Sequence, residues 1–307
     1  MPDPDTLPPG VRSEVELQLG EVAPDPVRFV ERLGGGCIHP AARLETEGGR
    51  LAFVKWALDP VRGGFAQEAS GLRALAAAGG PPVPRVLGVS EEVGPGPSWL
   101  LLEWIEPGAA SPDTPRALGQ GLARLHRPLP GAEPGWDAPN RIGPLEQMNP
   151  GGLSWPRFWA EARLGQRWEE VRRAGALDGG ADAEMEWLLG SMEGALAGWE
   201  ADGIALLHGD LWSGNVVVDA RSEAWLIDPS SYRGHREVDL AMMELFGGFD
   251  REVFRAIEAE SPILPGYREV RRSIYALYPL LVHVRLFGGG YRVRTLETLR
   301  SVVARLR

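Results

Sequence analysis

The sequence predicts an α+β fold with two lobes, a β-rich N-terminal lobe over residues 1–105 and a mostly helical C-terminal lobe over residues 106–307. Short alternating segments between glycine clusters fill the first lobe, which is typical of an antiparallel sheet. Pro107-Gly108 ends that pattern, and helical periodicity follows it. A chain of 307 residues is also long enough for two domains of roughly 100–200 residues each.

Three N-terminal segments predict the strands of a meander, because their residues alternate and glycine clusters separate them. They are RFVERL (28–33), ARLETE (42–47) and LAFVKWA (51–57). Apolar residues at helical spacing predict helices before and after these strands. We expect those helices over 11–19 and 65–78, and two further strands over 83–91 and 98–105.

The second lobe contains one short β segment within a helical background. Helical periodicity predicts helices over 115–126, 155–173, 182–200, 239–246, 252–260, 267–287 and 295–306. Between them, residues 206–232 are expected to form a loop, a strand (216–219), a turn, a second strand (224–227) and another loop.

Composition and charge exclude several classes of function. The net charge of −10 argues against nonspecific binding to nucleic acid or to acidic membranes, which requires a basic surface. A single cysteine, Cys37, excludes an internal disulfide and a cysteine zinc cluster, and is typical of a reducing compartment. The longest apolar run, 274–282, is far shorter than the roughly 20 residues of a membrane span. We therefore expect a cytoplasmic protein with no membrane or nucleic-acid partner.

Four polar residues around the β segment indicate phosphoryl transfer, namely His208, Asp210, Asn215 and Asp228. Asn215 follows Asp210 at the spacing of the kinase catalytic loop, and Asp228 ends the apolar strand 225–227. In that chemistry a carboxylate accepts the proton of the attacking hydroxyl, and oxygen ligands hold Mg²⁺ on the nucleotide phosphates. Asp210 is thus the candidate base, and Asn215 and Asp228 are the candidate magnesium ligands. The alternative is that these residues merely occupy turns, where Asp and Asn are common.

The first lobe supplies candidates for holding ATP. Lys55 lies on the third predicted strand, and Glu68 lies on the apolar face of the following helix, where it could pair with Lys55. The backbone of the turn Gly34-Gly35-Gly36 could approach the phosphates closely. The alternatives are a solvated lysine with a separate surface glutamate, and an ordinary glycine hairpin. Walker, Rossmann and α/β-hydrolase motifs are absent from the sequence.

Longer motifs resemble those of the fructosamine/ketosamine 3-kinase family, which is related to the aminoglycoside phosphotransferases. They are HGDLWSGN (208–215), IDPSSYRGHREVDLAMMELFGGF (227–249), YPLLVHVRLFGGGY (278–291), GGGCI (34–38) and FVKW (53–56). The likeness extends over roughly residues 11–305. It implies a two-lobed protein-kinase-like fold, the use of ATP and Mg²⁺, and phosphorylation of the 3-hydroxyl of ketosamines on small molecules or proteins. A 3-phosphate beside the C2 carbonyl is a good leaving group, so the resemblance implies a deglycation enzyme.

The sequence also departs from the protein-kinase pattern. Asp228-Pro229-Ser230 stands where protein kinases have D-F-G, and there is no A-P-E motif. Both departures argue against a protein-hydroxyl substrate and against phosphorylation-driven switching. Two rivals stay open, namely a kinase for another small acceptor, such as an aminoglycoside or a choline-like compound, and a nucleotide-binding pseudokinase.

Three further residue assignments complete the expected site. The backbone at Glu103 and Ile105, where a strand enters the hinge, is expected to contact adenine. Trp212 is expected to line the acceptor site with its indole face, although it could equally be a core tryptophan. Cys37 is expected to be sensitive to oxidation because glycine N–H groups and Lys55 would favour its thiolate, and the family carries a cysteine in this turn. Oxidised Cys37 could then link a homodimer; the alternative is a buried packing role.

Overall fold

The structure, a computed structural model, describes residues 7–20, 24–34, 39–58, 64–90, 97–177 and 179–307. The chain divides into two units. Unit 1 comprises Met1–Thr114 and Gly214–Pro229, and unit 2 comprises Pro115–Ser213 and Ser230–Arg307. Every helix in the described ranges is too short or too polar to cross a membrane.

Unit 1 is built on a five-stranded antiparallel sheet with the strand order β1-β2-β3-β5-β4. Its strands are β1 (Val27–Leu33), β2 (Ala41–Thr46), β3 (Leu51–Ala57), β4 (Val86–Val89) and β5 (Ser98–Glu103). Helices α1 (Pro9–Leu19) and α2 (Phe65–Ala77) belong to the same unit. Val11 and Val15 of α1 pack in one apolar cluster with Val54 and Leu101 of the central strands. The meander and both helices match the sequence predictions to within a few residues, as is usual for element ends.

A hairpin from the middle of the chain also belongs to unit 1. Strands β9 (Val216–Val218) and β10 (Ala224–Leu226) pair antiparallel. Three strands of unit 2 precede them in the chain: β6 (Asn140–Ile142), β7 (Leu145–Gln147) and β8 (Ala205–Leu207). The Gly108 amide donates to the Val218 carbonyl at 2.8 Å, and the Leu226 amide donates to the Pro82 carbonyl at 2.9 Å. These long-range bonds explain why the predicted boundary at residue 105 differs from the observed division, in which 214–229 joins the first unit.

Unit 2 is mostly helical, with small two-stranded sheets. Its helices are α3 (Thr114–Leu125), α4 (Trp155–Phe158), α5 (Gln166–Arg173), α6 (Asp182–Gly190), α7 (Met192–Ala195), α8 (Glu237–Phe246), α9 (Arg251–Glu260), α10 (Arg272–Phe287) and α11 (Gly290–Leu306). A π-helical segment, Trp159–Gly165, joins α4 to α5. The core cluster lies around Trp155, Trp159, Tyr275 and Leu281.

Two features of unit 2 differ from the sequence predictions. The predicted helix over 182–200 is interrupted at Ser191 and ends at Ala195, because glycines at 190 and 194 are poor helix formers. Short strand pairs occur where only loops were predicted: β6 (Asn140–Ile142) with β7 (Leu145–Gln147), and β8 (Ala205–Leu207) with β11 (Tyr232–Gly234). Strands of three residues are too short to show alternation.

Candidate active site

In unit 1, Lys55 lies between two carboxylates. Its Nζ atom is 2.6 Å from Glu68 Oε1 and 2.8 Å from Asp228 Oδ1. The lysine side chain is only 6% exposed, that of Glu68 is 14% exposed, and that of Asp228 is 31% exposed. Buried charges are tolerated only when they are paired. The structure therefore brings together three of the residues that the sequence singled out.

The surrounding strands explain how Lys55 comes to be buried. It lies on β3, in the middle of the sheet, opposite Ala41 of β2 and Leu100 of β5. Burial by itself would lower the pKa of Lys55, but the carboxylates of Asp228 and Glu68 raise it above its usual value. Burial raises the pKa of Glu68 to about 7, an increase that the ammonium of Lys55 limits. Lys55 is thus a buried residue that keeps its positive charge.

Asp228 and Asn215 are linked through the backbone of unit 1. The Ile227 amide donates to the Asn215 carbonyl at 3.0 Å, so the residue before Asp228 is tied to Asn215. Asp228 has a φ of 52°, a left-handed conformation that is uncommon outside glycine and often marks functional sites. A carboxylate and a side-chain amide are oxygen donors of the type that Mg²⁺ prefers. The donor set at these positions therefore fits a magnesium ion.

In unit 2, the loop that carries Asp210 is held by the buried carboxylate of Asp239. The His208 amide donates to Asp239 Oδ2 at 2.8 Å, and the Gly209 amide donates to Asp239 Oδ1 at 2.9 Å. His126 Nε2 lies 2.9 Å from Asp239 Oδ2. Burial by itself would raise the pKa of Asp239, but the bond to His126 and the backbone donors hold it below its usual value. Asp239 therefore remains an anion that fixes the loop.

The other side of this loop contacts the segment that follows Asp228 and Pro229. The Ser230 amide donates to the His208 carbonyl at 2.9 Å. The Asp210 amide donates to Nδ1 of His208 at 3.3 Å, so the ring carries its proton on Nε2 when neutral. Gly209 has a φ of +82°, and a Cβ atom there would lie 2.2 Å from the Ser230 carbonyl oxygen. The loop before Asp210 is thus confined on both sides.

Sequence reasoning missed Asp239 and His126. The two residues lie 113 positions apart, and the amide of His208 is 31 positions from Asp239. One signal was available, because Asp239 stands between Val238 and Leu240 in an otherwise apolar helical run. A charged residue at an interior position of that kind needs partners when the helix is buried.

The remaining predicted residues have different outcomes. Trp212 is 38% exposed, so it is not a core tryptophan, and its acceptor role stays a prediction. The Glu103 amide donates to the Arg85 carbonyl at 3.0 Å, so that amide is not available to adenine. Gly34 is exposed, whereas Gly35, Gly36 and Cys37 lie outside the described residues. The adenine contact expected at Ile105 stays a prediction.

Comparison with known proteins gives a consistent result over nearly the whole chain. The family model for fructosamine kinase matches residues 14–305. A protein named as a probable ketoamine kinase in Synechocystis sp. is 38% identical over 94% of this chain and 95% of its own length. The chloroplastic protein-ribulosamine 3-kinase of Oryza sativa subsp. indica is 33% identical over 91% of this chain and 80% of its own.

A solved structure agrees with these relatives. The crystal structure of a candidate fructosamine-3-kinase from Thermobifida fusca superimposes with a TM-score of 0.80 at 32% identity. The superposition covers 91% of this chain and 95% of that one. The predicted α+β, two-lobed, protein-kinase-like fold class is therefore confirmed.

Proposed function

Because the chain belongs to the fructosamine kinase family, we propose that it transfers the γ-phosphoryl group of ATP to the 3-hydroxyl group of a ketosamine. It is a kinase, a phosphotransferase with a hydroxyl acceptor. The observation that carries the proposal is the buried Lys55 ammonium paired with both Glu68 and Asp228. A kinase lobe requires that arrangement of a strand lysine, a helix glutamate and a metal-binding aspartate.

Asp210 is the proposed catalytic base. Its carboxylate would accept the proton of the ketosamine 3-hydroxyl as the oxygen attacks the γ-phosphorus of ATP. The bond from that phosphorus to the bridging oxygen of ADP breaks in the same step. Asp239 and Ser230 support this role because they fix the backbone at His208 and Gly209, next to the base.

Unit 1 supplies the proposed nucleotide contacts. Lys55 would bind the α- and β-phosphates, and Glu68 would hold the lysine side chain in place. The backbone amide of Ile105 would bind the adenine ring. Asn215 and Asp228 would hold Mg²⁺, which when bound neutralises negative charge on the phosphates.

The product explains the biological consequence that we propose. A phosphate on O3 lies beside the C2 carbonyl of the ketosamine, so elimination of inorganic phosphate destabilises the adduct and frees the amine. The rice relative is named as acting on protein-bound ribulosamine. We extend that substrate class to this chain, with lysine adducts on small molecules or proteins as acceptors.

One assay separates this function from its rivals. ADP release would be measured with ATP and Mg²⁺ over a panel of ribulosyl-, erythrulosyl- and fructosyl-lysine, aminoglycosides and choline. We expect turnover with one or more ketosamines and none with the other acceptors. Turnover confined to an aminoglycoside or to choline would overturn the ketosamine assignment. ATP binding without turnover on any acceptor would favour the pseudokinase.

A further inference from the structure

A buried asparagine in unit 2 binds the segment that contacts the loop of Asp210. Asn140, on β6, is 4% exposed. Its Nδ2 group donates to the Ser231 carbonyl at 2.8 Å and, at a longer 3.5 Å, to the Ser230 carbonyl. Both acceptors belong to the stretch that leads into β11. Asn140 therefore fixes two consecutive backbone carbonyls of that stretch.

The orientation of the Asn140 amide is itself determined by its neighbours. Its Oδ1 atom accepts from Gln147 Nε2 at 3.3 Å and from Asn149 Nδ2 at 3.0 Å. The two donor hydrogens and the two lone pairs of the amide are thus all used. A flipped amide would place Oδ1 against two carbonyl oxygens. The side chain consequently has a single satisfied arrangement.

A buried guanidinium holds the far end of this network. Arg163, fully buried in the π-helical segment, donates from Nη2 to Asn149 Oδ1 at 2.9 Å and from Nη1 to the Met148 carbonyl at 2.8 Å. Its guanidinium carbon also lies 4.1 Å from the centre of the Tyr232 ring. Tyr232 directly follows Ser231, so Arg163 contacts this stretch directly at Tyr232 and indirectly through Asn149 and Asn140. π-Helical segments are rare and frequently occur at functional sites.

We propose, on the premise of the kinase function above, that Asn140 is a positioning residue for the catalytic base Asp210. Asn140 fixes Ser230 and Ser231, and the Ser230 amide in turn binds the His208 carbonyl. The Ser230 carbonyl also lies against Gly209, where there is no room for a Cβ atom. A shift of Ser230 must therefore move the backbone on which Asp210 stands. A misplacement of about 1 Å at a reacting group lowers a rate about 100-fold.

The test compares two Asn140 variants with a matched control. Asn140→Ala removes the donor, and Asn140→Ser keeps one hydroxyl donor. The control is Tyr275→Phe, because the Tyr275 hydroxyl accepts from Trp155 Nε1 at 3.0 Å in the same unit and is likewise buried. Each variant of the full chain would be assayed for kcat, KM for ATP, thermal unfolding, and hydrogen exchange of peptides covering 205–213.

We expect Asn140→Ala to lower kcat by about 10- to 100-fold with little change in KM for ATP, and to accelerate exchange at 208–210. Asn140→Ser should lose less, and it carries the test if the alanine variant does not fold. In an Asp210→Asn background, Asn140→Ala should lower kcat no further, because the base that it positions is already absent. Tyr275→Phe should lose thermal stability and keep its kcat.

Other outcomes would overturn the inference. One such outcome is that kcat falls in proportion to the loss of thermal stability, and does so to the same degree in the Asn140 variants and in Tyr275→Phe. Asn140 would then be a core residue with no positioning role. A fully additive effect of Asn140→Ala and Asp210→Asn, or unchanged exchange at 208–210, would lead to the same conclusion. A wild-type protein without ketosamine kinase activity would contradict the proposed function instead. The exchange measurement would then still decide whether Asn140 positions the loop.

Discussion

Gly209 offers a sharp test of how tightly the loop before Asp210 is confined. In Gly209→Ala, the new Cβ would lie 2.2 Å from the Ser230 carbonyl oxygen, whereas ordinary contact begins near 3.4 Å. One of the two backbones must therefore move by about 1.2 Å, and a misplacement of about 1 Å lowers a rate about 100-fold. This loss corresponds to about 2.7 kcal/mol in the activation barrier. The left-handed φ of +82° adds about 1–2 kcal/mol of destabilisation for any residue with a Cβ.

Gly203→Ala is the matched control, since Gly203 has a φ of +69° but its Cβ would meet nothing closer than 3.5 Å. Both variants would be assayed for kcat at saturating ATP and ketosamine, and for thermal unfolding. We expect both variants to lose similar thermal stability, because both glycines have a left-handed backbone conformation. Only Gly209→Ala should also lose about 100-fold in kcat. If the kcat of Gly209→Ala stays within about 3-fold of that of Gly203→Ala, the loop does not depend on the contact with Ser230.

Three further predictions concern the proposed ligand contacts and the buried charges of unit 1. Because burial raises the pKa of Glu68 to about 7, its contribution to stability should be present below about pH 4.5 and be lost as the pH rises through 7. The free energy of unfolding in urea would be measured for the wild type and for Glu68→Gln from pH 5 to 8. As the pH increases, the wild-type value should converge on, or fall below, that of Glu68→Gln. Parallel pH curves for the two proteins would contradict a protonated Glu68 at the lower pH values. Asp228→Ala should weaken the binding of Mg·ATP in calorimetry, since it removes a proposed metal ligand and a partner of Lys55; unchanged binding would remove Asp228 from the proposed metal site. Trp212→Phe should raise the ketosamine KM without lowering the melting temperature, because the indole is exposed, and unchanged acceptor kinetics would count against its role.

Local sequence patterns were sufficient to predict much of unit 1. Glycine-bounded alternation gives the meander, and the order of Lys55 and Glu68 along the chain gives their pairing, which is observed at 2.6 Å. These signals are local because each strand and helix carries its own periodicity. The hairpin that contains Asn215 was also predicted, but its hydrogen bonds to residues 106–108 and to Pro82 were not, since they join distant parts of the chain.

The supporting side chains of unit 2 could not be predicted in the same way. Asp239, His126 and Asn140 act through partners 30 to 113 positions away in the chain. Asparagine in a Gly/Pro-rich stretch is most simply interpreted as a loop residue. The strand on which Asn140 lies has only three residues, too few to show the alternation of a β-strand. The motif residues are the candidates for the chemistry, whereas the residues that fix them in place are determined by tertiary packing.

The most direct test of the central assignment is the chemical identity of the product. Purified protein would be incubated with ATP, Mg²⁺ and ribulosyl- or fructosyl-lysine, and the product would be analysed by ³¹P–¹H correlation NMR beside an Asp210→Asn reaction. We predict a phosphate coupled to the proton on C3, and a rate about 100- to 10,000-fold lower for Asp210→Asn at unchanged ATP affinity. Phosphate on any other hydroxyl, or equal rates for the two proteins, would contradict a ketosamine 3-kinase that uses Asp210 as its base.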